Sequence, residues 1–331
     1  MGGRRTNLAL LFLLGIVFVT GWLAFSFYAW PSRFALLVHS VGGLAVVALL
    51  PWKSMLARRS LLRRGPGAAV LSGLLGALLL VSLTFGFLHS AGWPDLWTTP
   101  GLSSIPVLRE LTAMDLHVGA AIALLPLLVW HWLLRPLKPR ATDLSRRLLL
   151  RAGLLAGLSA ATLAVLPAGR RRLTGSYQLA ELPVTSWMLD PVPTLDAAGW
   201  SLLAGSRRVG YDELAAFSDR ARAVIDCTGG WYSEQEWEGA WLSRLLPPAE
   251  LAGALSVSVV SVTGYSRRFA VDDLPRLLLA TRVGGSELAA GNGHPARLVA
   301  QGWRGFWWVK WVREIRVAGL PWWWQPPYPL Q

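Results

Sequence analysis

Asp226-Cys227-Thr228-Gly229-Gly230-Trp231, followed by Trp237-Glu238-Gly239-Ala240-Trp241-Leu242 and Leu245-Leu246, is the stretch on which the reading of the C-terminal half depends. Cys227 is the only cysteine in 331 residues. A lone thiol excludes an internal disulfide framework, a cysteine-rich zinc site and iron–sulfur ligation by this chain alone. Arg222 to Asp226 reads as a short strand that ends at the cysteine. The two glycines that follow let the backbone approach a large ligand closely. A thiolate in that position suits a soft metal. A buried cysteine acting as a small hydrophobe is the plainer alternative, and this stretch by itself leaves both open.

Further along come Asn292-Gly293-His294-Pro295-Ala296-Arg297-Leu298-Val299 and then Gly305-Phe306-Trp307-Trp308-Val309-Lys310-Trp311. With the Cys-x-x-x-Trp and Trp-x-Gly-x-x-Leu patterns before them, these stretches resemble the sulfite-oxidase-type molybdopterin oxidoreductase family. The resemblance is closest to its protein-methionine-sulfoxide reductase branch, and it covers most of residues 173–331. It implies that Cys227 is the catalytic cysteine and gives its thiolate to molybdenum. It implies that Asn292 and Arg297 bind the molybdopterin cofactor, with Trp308, Val309 and Lys310 closing the same pocket through backbone and ammonium groups. Ser261 takes roughly the place of a hydroxyl ligand of the family. Trp231, Tyr232 and Tyr265 become candidates to line the metal pocket, with a role as core aromatics the alternative. A planar guanidinium such as that of Arg297 matches phosphate oxygens well.

The resemblance also implies the chemistry: two-electron oxygen-atom transfer at sulfur. S-oxide reduction stands somewhat ahead of sulfite oxidation, on a small sulfur-containing substrate or an oxidised protein methionine. The chain departs from the family in places. The pterin-binding Asn and Tyr-Glu pair expected near the start of the domain are not recognisable in Gly175 to Pro193. Neither is a multi-arginine sulfite pocket.

Around these motifs the C-terminal half has the short runs and turn residues of a mixed α+β domain, with a core of its own. Ser256 to Val262 has period two and reads as a strand, as does Trp308 to Val317. Asp212 to Phe217, Leu242 to Leu246 and Leu274 to Ala280 read as short helices.

The N-terminal half is different. Hydrophobic residues make up 53% of the chain and charged residues 15%, against roughly 25% charged in a typical soluble domain. Apolar runs at Leu8–Trp30, Phe34–Leu50, Ala68–Leu88 and Leu111–Leu134 each have the ~17–25 residues needed to cross a bilayer as a helix. Ala152–Ala168 is a weaker fifth. The net charge of +13, from 32 Lys and Arg against 19 Asp and Glu, comes largely from arginine-rich loops. Arg4 and Arg5, then Lys53 to Arg64, then Arg135 to Arg151 alternate with a loop that holds Asp95 and Glu110. That alternation expects an N-terminus on the cytoplasmic side. The charge therefore indicates a membrane and lipid partners, not nucleic acid.

Ser145-Arg146-Arg147-Leu148-Leu149-Leu150-Arg151 looks like a twin-arginine export signal. An ordinary positive-inside loop is the alternative. Arg170, Arg171 and Arg172 follow the fifth run, on the side where the charge rule does not expect them. Export would leave the C-terminal domain outside the cytoplasm of a bacterial cell. The expected architecture is thus an all-α transmembrane bundle of five spans followed by the mixed α+β domain. Residues 1–140 hold four helices, 141–172 the signal and fifth helix, and 173–331 the molybdopterin domain.

Histidines inside the spans are functional candidates by default. His117 and His131 share a helix face about 21 Å apart, a spacing that resembles di-haem membrane cytochromes of b type. His39 and His117 each lie about five residues, or ~7.5 Å, inside the outer end of their runs. Matching depth makes these two the expected axial ligands of one haem b. His89, at the outer end of its run, and His131, near the inner face, do not face each other across one iron. A quinone or another respiratory electron carrier would then be the membrane-side partner. A cofactor-free binding or sensory membrane protein and a haem-only electron-transfer subunit remain the alternative classes.

Overall fold

The computed structural model describes residues 3–27, 30–61, 66–91, 111–134, 136–137, 140, 143, 146–165, 171–184 and 191–326. The chain divides into two compact units, Met1–Tyr177 and Gln178–Gln331.

The first unit is built on α1 (Gly3–Ser26), α2 (Trp30–Leu61), α3 (Pro66–Ser90), α4 (Ala113–Leu134) and α5 (Arg146–Val165). Four of these, α1 to α4, are long and apolar enough to cross a membrane. The fifth expected run, Ala152–Ala168, is described only as far as Val165, and its last three residues lie outside the described residues. Arg146, Arg147 and Arg151 occupy the start of α5, and its apolar part is Leu150–Val165. That described part is about 24 Å long. α1 packs on α2 through Leu10, Val46 and Leu49, with Leu79, Leu83 and Leu155 against them. Phe12, Leu80 and Leu133 stand outward and exposed, as lipid-facing side chains do. Arg4, ahead of the first apolar run, pairs with Asp143 beyond α4 at 2.9 Å.

The two compact units divide at 177/178, close to the expected domain boundary at 172/173. The guanidinium of Arg171 is bound by carbonyls at the end of α3, and the backbone N–H of Arg172 donates to the carbonyl of Ser176 at 3.0 Å. Strand β1 (Tyr177–Gln178) straddles the junction.

The second unit holds two sheets. Its strands are β2 (Ser201–Ala204), β3 (Arg207–Gly210), β4 (Asp219–Asp226), β5 (Trp231–Trp241), β6 (Ser256–Ser261), β7 (Ser266–Ala270), β8 (Leu277–Val283), β9 (Ser286–Glu287), β10 (Arg297–Ala300) and β11 (Val312–Ala318). One sheet runs β5-β8-β10, with β4 paired to β5 and β9 to β8. The other runs β3-β2-β11-β6-β7, and β11 lies parallel to β2 but antiparallel to β6. Short helices α6 (Tyr211–Ala215), α7 (Leu242–Leu245) and α8 (Pro248–Leu251) connect strands. Trp237, Phe269, Leu202, Leu278, Leu298 and Ile315 are fully buried and form the core.

Two local expectations change. Leu274–Ala280 is not a helix: a 3-10 turn at Val271–Arg276 leads into β8. Leu277 to Ala280 are buried without alternation, and a short apolar run buried on both faces carries no period to separate strand from helix. The strand expected from Trp308 begins only at Val312. The backbone N–H groups of Trp308 and Val309 turn back to the carbonyls of Gly305 and Trp307, at 3.0 and 3.1 Å, and so leave no ladder to join. Conversely, the Cys227-proximal strand is longer than expected and begins at Asp219.

Candidate functional site

β4 and β5 are antiparallel neighbours, and the turn between them carries the cysteine. The N–H of Cys227 donates to the carbonyl of Trp231 at 2.8 Å, and the N–H of Gly230 to the carbonyl of Cys227 at 3.1 Å. Gly230 sits at φ +84°, a conformation natural to glycine. The N–H of Gly229 points at Cys227 Sγ, 3.4 Å away, as a donor that favours the thiolate. A side chain at Gly229 would lie 3.4 Å from the Trp231 indole nitrogen and 3.7 Å from Sγ. Both are ordinary contacts, and the thiol itself is half-buried.

A pair of cations lies within electrostatic reach of this thiol. Arg297, at the start of β10, is 3% exposed and forms no ion pair among the described residues. Its Nη1 donates to the carbonyl of Asn292 at 3.1 Å, while its Nε has no partner. Burial lowers its pKa to about 10, with Cys227 acting in the opposite direction. Lys310 donates through Nζ to the carbonyl of Gly291 at 2.6 Å. Burial, and then the charge of Arg297, lower its pKa to about 7, while Cys227 again raises it. The loop between them closes tightly: Gly293 is at φ +111°, and a Cβ there would stand 3.0 Å from Arg297 Cβ and 3.3 Å from Lys310 Cα. Trp311, at φ +52°, holds the opposite side by donating from its indole to the carbonyl of Ala290 at 2.7 Å.

Asn292, Arg297 and Lys310 thus come together around one loop, with Cys227 near enough for its charge to act on both cations. Asn292 is buried, and its Oδ1 has no partner. The Trp231 indole nitrogen and His294 Nδ1 are likewise buried and unpartnered. The backbone of Trp308 and Val309 is engaged locally. Their N–H groups are spent within the 305–309 turn, and the carbonyl of Val309 accepts from Leu298. The Trp308 ring packs on Trp237 at 5.5 Å, and Arg297 lies over both rings, 5.4 Å from Trp237 and 5.8 Å from Trp308. Trp308 thus forms part of the wall against Arg297. Ser261 ends β6, where its Oγ accepts from the N–H and the hydroxyl of Thr263 and so closes a turn. The Tyr232 hydroxyl donates to Gln178 at 3.4 Å. The Tyr265 hydroxyl donates to the carbonyl of Phe306 and accepts from Arg267 Nε at 2.9 Å.

Sequence reasoning passed over Arg304 and Asp226. They form an ion pair, 3% and 0% exposed, and Arg304 also donates to the carbonyl of Cys227 at 3.3 Å. Gly305 presses against the same backbone, where a Cβ would stand 3.0 Å from Cys227 Cα. An arginine just ahead of the Gly305 motif was the available signal. Gly239 of the Trp-x-Gly pattern has a packing role: a Cβ there would lie 2.0 Å from the carbonyl of Leu279 on β8.

In the first unit, His39 on α2 and His117 on α4 face each other with ring centroids 5.7 Å apart and planes at 88°. His39 Nδ1 donates to the carbonyl of Val17 and His117 Nδ1 to that of Ser82, both at 2.7 Å. Those bonds put the proton on Nδ1 and leave Nε2 of each ring as a lone-pair donor. Gly21 and Gly86 make room for the rings, since a Cβ would stand 2.8 Å from His39 and 2.9 Å from His117. Among the described residues no group of three or more His, Cys, Asp and Glu side chains is placed to hold a metal ion.

Residues 190–321 match the family described as the oxidoreductase molybdopterin binding domain. The matched stretch includes Cys227, Ser261, Asn292, Arg297, Trp308, Val309 and Lys310. No curated protein matches the chain. Among solved structures, the sulfane dehydrogenase SoxCD from Paracoccus pantotrophus is similar at 20% identity and a TM-score of 0.35. That match covers 39% of this chain and 40% of the other. The chain therefore spans about two fifths of the length of that protein.

Proposed function

We propose that this chain, whose C-terminal unit carries an oxidoreductase molybdopterin binding domain behind four apolar helices, is a membrane-bound molybdenum oxidoreductase acting at sulfur. The observation that carries the reading is Arg297: a buried guanidinium with an unpartnered Nε, beside the unpartnered Oδ1 of Asn292 and within the field of Cys227. A buried cation without a counter-charge is costly, and an anionic ligand offsets that cost. The residues fit a pterin phosphate on that ground. Arg297 and Lys310 would hold the phosphate, and Asn292 would accept a hydrogen bond from the ligand. Cys227 would bind the metal as thiolate, with the Gly229 N–H tuning the charge on sulfur. The cofactor, when bound, supplies the two-electron change and the oxygen-atom transfer. The protein binds, orients and excludes water. The preferred direction is S-oxide reduction, on a small sulfur compound or an oxidised protein methionine, with sulfite oxidation second.

Electrons reach the domain through the membrane unit in this reading, with a quinone or other respiratory carrier as partner. His39 and His117 would hold one haem b. Each ring keeps its Nε2 lone pair available, and the two rings stand 5.7 Å apart, so both could give a nitrogen to one iron. The haem would supply one-electron transfer. The twin-arginine pair Arg146 and Arg147, both exposed, would direct the C-terminal domain out of the cytoplasm; Ser145 lies outside the described residues.

Elemental and optical analysis of the detergent-purified chain tests both parts. Molybdenum near one per chain with a b-type spectrum is the expected result. Absence of molybdenum from protein made by a cofactor-competent host overturns the enzyme reading.

A further inference from the structure

We propose that Arg171 and His89 form a carboxylate-binding site that receives the propionates of the haem held by His39 and His117. The proposal rests on the haem reading above, and both residues belong to the first unit.

The Arg171 guanidinium is gathered by neutral acceptors only. Among the described residues it donates to the carbonyls of His89 and Ser90 and to that of Gly175 at 2.8 Å, with His89 Nε2 at 3.3 Å. No carboxylate among the described residues pairs with it, and its Nε is buried without a partner. His89 is 6% exposed. Its ring is also drawn to the carbonyl of Gly175, and its Nδ1 is buried without a partner. An unmet guanidinium N–H and an unmet imidazole nitrogen therefore share one place at the end of α3. A buried cation with an unmet N–H favours an anionic acceptor. Carboxylate oxygens match a guanidinium edge and an imidazole N–H.

Position identifies which carboxylate. Ser82, Gly86 and His89 are spaced four and three residues apart on α3 and so share one face. Ser82 holds the His117 ring, and Gly86 abuts it. His89 is three residues beyond Gly86, about 4.5 Å along the axis. The site is thus roughly one helical turn outward from the iron-binding pair, in reach of groups that extend from the edge of a macrocycle held there. The cluster Arg170 to Arg172 is anomalous under the positive-inside rule; this role explains why Arg171, at least, is kept on the outer side.

The test uses the full-length holoprotein in detergent. Haem loss to excess apomyoglobin and the optical midpoint potential are measured for the natural chain, for Arg171→Gln and for Arg171→Lys. In Arg171→Gln, haem should leave about tenfold faster, as loss of a charge-assisted hydrogen bond implies. The potential should fall, because a nearby cation favours the reduced state; Arg171→Lys should recover part of both effects. Haem with methyl-esterified propionates, reconstituted into the natural chain, should also be held about tenfold less tightly, and should abolish the difference between the natural chain and Arg171→Gln. A haem spectrum with retention and potential indifferent to both changes overturns this proposal alone. An Arg171→Gln effect undiminished with the esterified haem also overturns it, by making Arg171 a structural tie. A natural chain without b-type absorbance overturns the haem reading and this proposal together.

Discussion

The carboxylate of Asp226 and the guanidinium of Arg304 pair in the interior, one residue from Cys227, and the same arginine reaches the carbonyl of Cys227. Two separated segments are thereby joined under the cysteine, and the parallel bridge between Asp226 and Arg304 fixes their backbones as well. Removing only one partner leaves a buried charge uncompensated, which costs about 3–5 kcal/mol. Arg304→Met should destabilise the second unit by that order in denaturant titration and loosen molybdenum retention. The double variant Arg304→Met with Asp226→Leu should recover much of the stability, but not the retention, because the tie to the Cys227 carbonyl is gone.

Cys227→Ser removes a half-buried thiol and little packing. The variant should fold with an unchanged thermal midpoint, yet lose turnover and most of its molybdenum on dialysis. Full metal loading and turnover in this variant would sink the thiolate assignment.

Lys310 makes the cofactor-free protein sensitive to pH. Burial brings its pKa from the ordinary 10.5 to about 7. Between pH 7 and 10.5 the unfolded chain holds a proton that the folded chain has released, so stability rises with pH across that window. Below pH 7 both states are charged, and the burial cost is present in full. Lys310→Met should flatten the slope in melts of cofactor-free protein between pH 7 and 10. A bound phosphate favours the ammonium, so the cofactor-loaded protein should show a weaker slope than the cofactor-free one.

His117→Ala should abolish the b-type spectrum. Gly86→Ala should disturb it through sterics alone, since the added methyl would lie 2.9 Å from the His117 ring. Spectra identical to that of the natural chain in both variants would count against the paired-histidine haem.

Arg146→Lys combined with Arg147→Lys keeps the charge of the loop and alters only the twin-arginine pattern. The C-terminal domain should then remain inside, as read by protease protection in intact spheroplasts. Unchanged export would assign these arginines to ordinary charge-based orientation.

Several features were legible in the residues alone because they depend on local chemistry. The lengths of four apolar runs fix four helices, since a bilayer demands internal backbone hydrogen bonding over a set thickness. The Cys227-Thr228-Gly229-Gly230 turn follows from glycine's access to positive φ, and the period of Ser256–Ser261 announces a strand. Asn292, Arg297 and Lys310 could be named from their motifs. That they share one loop with unmet hydrogen-bonding atoms was decided by tertiary packing, which also turned the N–H groups of Trp308 and Val309 inward and made Leu277–Ala280 a strand. The pairing of Asp226 with Arg304 was invisible beforehand, whereas the matching depths of His39 and His117 in their runs had pointed to their apposition without fixing its geometry. Each pair joins residues 78 positions apart, and only chain folding, not local propensity, sets which distant side chains meet.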